Sequence, residues 1–230
     1  MKASSSPKAR TKGATVAVPV IQGSIAFWLG PEADEWHSHR WTAYIRGPKN
    51  EDLSYFIRYV EFHLHESFHP SKRVVTRPPF ELTETGWGEF DLIIRLFFID
   101  NLESPIELVH PLRLFPNPPK DQSVEEPVVN EYYEELVFQD PPEELLAILR
   151  MGPQRTVETE LQKYFLDFTR QEAQDLEKIK HAKDMIRTKL LAINERSKEI
   201  DEERKQLEEE ISRIAMTSLG RQDSLLYSAN

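Results

Sequence analysis

The sequence predicts a mainly β, immunoglobulin-like sandwich followed by an α-helical segment and a C-terminal coiled coil. Three observations carry this reading. Apolar residues alternate in short runs before residue 120, prolines and acids crowd the next stretch, and aliphatic residues recur every seven positions from 176 to 214.

Residues 1–15 contain Lys2, Lys8, Arg10 and Lys12 among Ser, Pro and Gly, with no acid. They hold too little apolar surface to fold and read as a disordered basic tail. Val16, Val18 and Val20 then alternate along a first strand that continues into Ile25 and Phe27. Trp41, Ala43 and Ile45 form a second, closed by the turn Gly47-Pro48-Lys49-Asn50. Between 53 and 67 helical and strand spacings compete. The β-branched and aromatic residues that follow favour a strand from about 56, with Val60, Phe62 and Leu64 on one face. Phe90, Leu92, Ile94, Leu96 and Phe98 give the clearest strand, and Ile106 to Phe115 supplies another. Pro78-Pro79 marks a loop or sheet edge. Six to eight short strands over 16–120 predict the sandwich.

Beyond 120 the character changes. Residues 121–150 carry nine acids against one base, so 121–153 reads as an acidic linker with a short helix. In that helix Asp140 is placed to cap, Pro141 to occupy the first helical position and Glu143 to complete a capping box. Met151-Gly152-Pro153 ends it. A second helix is expected from Thr156 to about 215, with 154–215 forming a coiled coil and 216–230 a flexible tail. Ile179, Ile186, Ile193, Ile200, Leu207 and Ile214 occupy heptad position d. Leu176, Lys183, Leu190, Ser197, Arg204 and Ile211 occupy position a. Isoleucine at d disfavours a parallel two-stranded coil, and charged a positions weaken pairing of like with like. The expectation is weak self-association and a partner helix from another protein, with acids facing Lys183 and Arg204.

Composition excludes whole classes of function. A net charge of −10 argues against coating nucleic acid non-specifically. The absence of cysteine removes thiol catalysis, disulfides and every sulfur-ligated zinc site. No window approaches about 18 apolar residues, and the basic N-terminus lacks an apolar stretch, so the chain reads as intracellular and soluble. His37/His39 and His63/His65 are i,i+2 pairs that point to one face of a strand, but no carboxylate is placed to complete a metal site. Glu66 and Ser67 beside His65 do not make triad geometry, and no nucleophile elbow, phosphate loop or H-E-x-x-H occurs. The expectation is a binding protein: no catalytic residues, metal, cofactor or membrane, and no sequence-specific nucleic acid.

Aromatic residues in turn-like contexts stand out instead. Gly86-Trp87-Gly88 sets an indole between two glycines just before the best strand, and His65-Glu66-Ser67-Phe68-His69-Pro70 ends a strand with an aromatic residue in a loop. A ring so placed suits a pocket wall better than a core.

Together these loops carry a resemblance. The runs Phe62-His63-Leu64-His65-Glu66-Ser67-Phe68, Arg73-Val74-Val75-Thr76-Arg77-Pro78-Pro79-Phe80 and Thr83-Glu84-Thr85-Gly86-Trp87-Gly88-Glu89-Phe90 resemble the YEATS-domain family. So do His39-Arg40-Trp41 and Phe97-Phe98-Ile99-Asp100. The run Glu131 to Pro141 and the coiled coil are similar to one branch, the YEATS subunit of SWR-type remodellers that exchange a histone variant and of NuA-type histone acetyltransferase complexes. The resemblance implies an immunoglobulin fold and a nuclear, non-catalytic reader of acetylated or otherwise acylated lysine on histone tails. It also implies service in transcription regulation and DNA repair, with other complex subunits held through the coiled coil. Carried over, Phe68 and Trp87 wall the acyl-lysine slot, His65 and Ser67 line it, Ser67 bonds the acyl amide, and the backbone at Gly86, Trp87 and Gly88 closes it. His37 is a flanking contact. Relatives outside this branch usually have tyrosine or phenylalanine in place of Trp87, and often alanine in place of Gly88. An assembly subunit that acts mainly through its coiled coil, with peptide reading secondary, is the alternative.

Overall fold

Among the described residues, alternation of apolar and polar residues yields eight strands, all paired antiparallel. In chain order they are β1 (Thr15–Trp28), β2 (His39–Arg46), β3 (Ile57–His63), β4 (Lys72–Val75), β5 (Phe80–Gly86), β6 (Asp91–Phe98), β7 (Ile106–Pro111) and β8 (Val128–Gln139). Helix α1 (Glu143–Met151) follows, and α2 (Phe168–Tyr227) is the last described element. The structure, a computed structural model, describes residues 10–119 and 121–227, with side chains through 215. It falls into two units, one reaching Thr169 and the other starting at Arg170.

In the first unit two four-stranded sheets, ordered β5-β2-β1-β8 and β4-β3-β6-β7, face each other as a sandwich. Their inner faces supply the core: Val20, Trp41, Ala43, Val60, Phe62, Leu92, Ile94 and Leu96 are fully buried. Burying such side chains supplies about 1.5–3 kcal/mol each, which orders short strands that would be unstable alone.

The expected boundary at residue 120 does not hold, because β8 lies beyond it. All twelve residues from Val128 to Gln139 pair with β1, from Thr15↔Gln139 to Ala26↔Val128, so 121–153 is not a linker. The capping box is also absent. Asp140 takes a left-handed φ of 50° and its carboxylate accepts from the Gly13 amide at 2.6 Å, while Pro142 stands at the N-cap of α1 with no side-chain cap. Residues 1–9 of the expected tail lie outside the described residues. Residues 10–14 are pinned: Arg10 donates to the carbonyls of Asp140 and Leu102 and pairs with Glu103 at 3.0 Å.

The expected helix start at Thr156 moves to Phe168, because 155–165 crosses the outer face of the first sheet as a strap. The Val157 amide donates to the Asn50 carbonyl at 2.8 Å, Tyr164 packs edge-on against Phe27, and Phe165 lies 5.0 Å from the Tyr44 ring. Ile21 and Ile25 are fully buried although they stand outside the central core cluster. Beneath the strap Arg46 donates to both oxygens of Glu131 at 2.8 and 3.0 Å, with 5% and 0% of the two side chains exposed. The second unit is the rest of α2, which runs on through the residues expected as a tail, to Tyr227. No helix among the described residues is long and apolar enough to cross a membrane.

Two predictions follow from this packing. Glu131→Ala leaves Arg46 buried and unpaired and is expected to cost about 3–5 kcal/mol in urea titration. Replacing the pair together with Arg46→Met and Glu131→Leu should cost much less. The second concerns His110, fully buried on β7 with Nε2 2.9 Å from the Ser24 hydroxyl. Burial, aided by the Arg113 charge, pushes its pKa down to about 4. The unfolded chain therefore takes up this proton first as pH falls below about 6.5, and the native state loses stability between there and about 4, by roughly 3 kcal/mol in full. Denaturant midpoints at pH 7 and 4.5 should lie further apart in the native protein than in His110→Gln.

Candidate functional site

At one end of the sandwich the loops β1–β2, β3–β4 and β5–β6 enclose a cleft of about 760 Å³. The sheet fixes its floor. Trp41, fully buried on β2, holds Phe68 and Phe90 edge-on at ring distances of 6.0 and 5.9 Å. Phe68 is thereby half-buried, set by a turn in which its amide donates to the His65 carbonyl at 3.0 Å. The preceding residue in the same turn, Ser67, lies with its hydroxyl 3.0 Å from His65 Nδ1.

The opposite wall begins at Gly86, which pairs with His39 at the end of β5. A Cβ there would sit 3.6 Å from the Phe68 ring and 3.5 Å from Trp41 Nε1, so glycine keeps the gap between wall and floor open. Trp87 follows with 55% of its surface exposed, as a ring on a loop tip rather than in a core. It is supported edge-on by Trp36, itself 60% exposed, at 5.7 Å. Trp36 is held by an Asp34 turn: the Asp34 carboxylate accepts from the Trp36 and His37 amides at 2.9 Å and contacts His37 Nδ1 at 2.9 Å. The His37 contact, with these amides, draws the Asp34 pKa below its usual value.

Every residue carried over to the acyl-lysine slot borders this one cleft: His37, His65, Ser67, Phe68, Gly86, Trp87 and Gly88. Sequence reasoning missed Trp36, Arg73, Glu84 and Glu89. Asp34 two residues before an exposed indole was a readable turn signal for Trp36. The ion pair of Arg73 with Glu84 at 3.0 Å joins β4 of one sheet to β5 of the other and left no local signature.

The histidine pairs do not converge. His39 is buried against Ser38 and Gln122, whereas His37 is exposed on Asp34 and His63 contacts Glu61. Among the described residues no group of three His, Cys, Asp or Glu is placed to hold a metal. The cleft therefore offers two aromatic surfaces, a hydroxyl, an imidazole and backbone amides, which suit a flat, neutral group with one polar edge.

Comparison with known proteins follows the same residues. The model of the YEATS family matches 36–116. A relative from Arabidopsis thaliana, transcription initiation factor TFIID subunit 14b, is 42% identical over 161 residues, covering 68% of this chain and 59% of its own length. The protein AF-9 homolog of Saccharomyces cerevisiae is 39% identical over 63% of this chain and 72% of itself, and that of Candida glabrata 36% identical over 87% and 95%. The crystal structure of the Yaf9 YEATS domain bound to histone H3 acetylated at lysine 27 aligns with a TM-score of 0.54 and 41% identity, covering 63% of this chain and 99% of that one. A structure of the same domain recognising a succinylated H3 peptide gives a TM-score of 0.53 with 41% identity over the same shares.

Proposed function

Since this chain belongs to the YEATS family, we propose that its cleft reads acylated lysine on histone tails, as a non-catalytic subunit of a chromatin remodelling and histone acetyltransferase complex in the nucleus. One observation carries the reading: Phe68 and Trp87, nineteen positions apart in the sequence, face one open cleft with Ser67 and the Gly86–Gly88 backbone along its edge. The relatives with matching sequence are a transcription factor subunit and AF-9 homologs, and the similar solved domain carries acetylated or succinylated H3. Transcription regulation is the process this role serves.

Selectivity follows from desolvation. A lysine ammonium is strongly hydrated, and placing it between apolar rings costs several kcal/mol. Acylation removes the charge and leaves a planar amide that lies against Phe68 and Trp87, its carbonyl accepting from the Ser67 hydroxyl or from a backbone N–H of 86–88. A methyl-lysine cage works the other way, since there the cation itself is attracted to the rings. Burying the four-carbon stem supplies roughly 3 kcal/mol at about 0.8 per methylene, and one satisfied amide about 1 more. A short peptide is then expected between micromolar and millimolar affinity.

The walls differ in how they are held, which sets the test. Trp87→Ala should remove most binding of an acetylated H3 peptide in calorimetric titration and leave the thermal melt of the full chain nearly unchanged, because the indole is more exposed than buried. Phe68→Ala should remove binding and also lower stability by about 2–4 kcal/mol, because its ring packs on Trp41 and Phe90. Equal affinity for acylated and unmodified peptides at the same salt would overturn the reading.

A further inference from the structure

A second hollow opens at the same end of the sandwich, on the far side of His39 from the acyl-lysine cleft. Its outer part, about 550 Å³, is walled by Trp28, Phe115, Pro116 and Pro119, with Asp121 and Gln122 along one edge. An inner part of about 210 Å³ shares Trp28, Pro116, Asp121 and Gln122 and adds Glu126. The sheet fixes how far this groove lies from the cleft. His39 on β2 pairs with Gly86 of β5 on one side and with Trp28 of β1 on the other. Neighbouring strands stand about 4.8 Å apart, so Trp28 is roughly 10 Å from the glycine that edges the cleft.

Buried groups hold the groove in shape. Phe115 packs edge-on against the buried His39 ring at 5.2 Å. The Gln122 amide donates to the Leu114 carbonyl at 3.0 Å and lies 2.9 Å from His39 Nε2. The Glu89 carboxylate, which also borders the cleft, accepts from the Leu114 and Phe115 amides at 2.8 and 3.2 Å. Phe115 still keeps 48% of its surface exposed, and Trp28 is half-buried.

Charge describes the occupant. Residues 116–127 carry Asp121, Glu125 and Glu126 against Lys120 alone. Glu84 and Glu89 at the cleft are paired with arginines, whereas Asp121 has no ion pair or hydrogen bond among the described residues. An unpaired carboxylate beside aromatic faces opposes the oxygen of a neutral acyl amide and favours a cation. A lysine ammonium is compact and strongly hydrated, so it gains little at so open a site. A guanidinium is flat, weakly hydrated and forked, so it stacks on a ring while its edge bonds a carboxylate.

We propose that this groove takes an arginine side chain of the same peptide whose acyl-lysine enters the cleft, an inference that rests on the acyl-lysine reading above. At about 3.3 Å per residue an extended chain covers the roughly 10 Å between the two sites in about three residues. The arginine therefore stands about three positions from the acyl-lysine. The second contact gives the domain a preference for peptide sequence, which a slot for one side chain cannot supply.

Glycine–serine peptides with one acetyl-lysine and one arginine, at every spacing up to about seven on either side, test this in calorimetric titration of the full chain. Arginine about three positions away should tighten binding about tenfold over glycine there, lysine by less than about threefold and citrulline not at all. Asp121→Asn should reduce the arginine gain to that of lysine and leave binding of the arginine-free peptide unchanged. An equal gain at all spacings, from lysine as from arginine, or in Asp121→Asn as in the native chain overturns the proposal, because net charge alone then explains it. The chain has four tryptophans, so 5-fluorotryptophan labelling gives each site its own signal. Trp28 should respond to an arginine peptide that lacks the acyl group, and Trp87 to an acetyl-lysine peptide that lacks arginine. A Trp28 signal that no arginine peptide moves overturns the groove. A Trp87 signal insensitive to acetylation, with Trp28 still responding, defeats the cleft reading alone and supports the arginine site.

Discussion

The Glu131 carboxylate on β8 organises the sheet that carries the cleft. It accepts from Arg46 on β2 through both oxygens, from the Tyr44 hydroxyl at 2.7 Å and from the Leu166 amide of the strap at 2.8 Å. Strand β1 runs between β2 and β8, and Gly23 is the residue on it that pairs with both Tyr44 and Glu131. A Cβ at Gly23 would stand 2.6 Å from the Tyr44 ring, so only glycine lets that ring cross β1 to reach the acid. The Arg46 guanidinium also stacks 4.3 Å from the centre of the Phe165 ring. An isolated buried charge costs several kcal/mol, but here every formal charge has directed partners, and the geometry they demand ties three strands and the strap into one register.

That register reaches the cleft through β2. Fixing Arg46 against Ile21 also fixes Trp41 opposite Glu84 and His39 opposite Gly86, and Trp41 is the ring on which Phe68 and Phe90 rest. One wall of the cleft thus inherits the rigidity of the core. The other, Trp87 on Trp36, is held by loop contacts and stays in solvent. A rigid floor with a solvated indole above it suits acyl groups of different length, because the polar edge is set by the turn at Ser67 while the open side sets no fixed depth.

Much of this was legible in the sequence, and what was not has a physical cause. Period-two alternation reads out the inner face of a strand, so β1, β2, β3, β6 and β7 were legible, and so was Trp87 between its glycines, whereas β4 and β5 on either side of Pro78-Pro79 were not. Strand β8 was not, because Glu131, Glu134 and Glu135 make its composition that of a charged linker. Its place in the sheet depends on Arg46, 85 positions earlier. The strap was hidden similarly: Thr156 to Leu166 look like the start of the heptad helix until Tyr44 and Phe27 supply the surface they cover. Asp140 carried the right residue type for a cap, but the Gly13 amide competes for its carboxylate and wins.

The charges around the cleft divide affinity from selectivity. Arg73 is paired with Glu84 and Arg113 with Glu89, both within 3.0 Å, so these charges at the mouth come as pairs rather than as one bare sign. Such a mouth gives little preference between a cationic lysine and its neutral acyl form by direct attraction. The preference has to arise inside, where rings replace water around the stem. Attraction for a basic tail comes instead from the chain's net charge of −10, which acts over about 8 Å at physiological salt and carries no information about acylation. Salt therefore acts mainly on encounter, whereas the chemistry of the lysine side chain acts on residence.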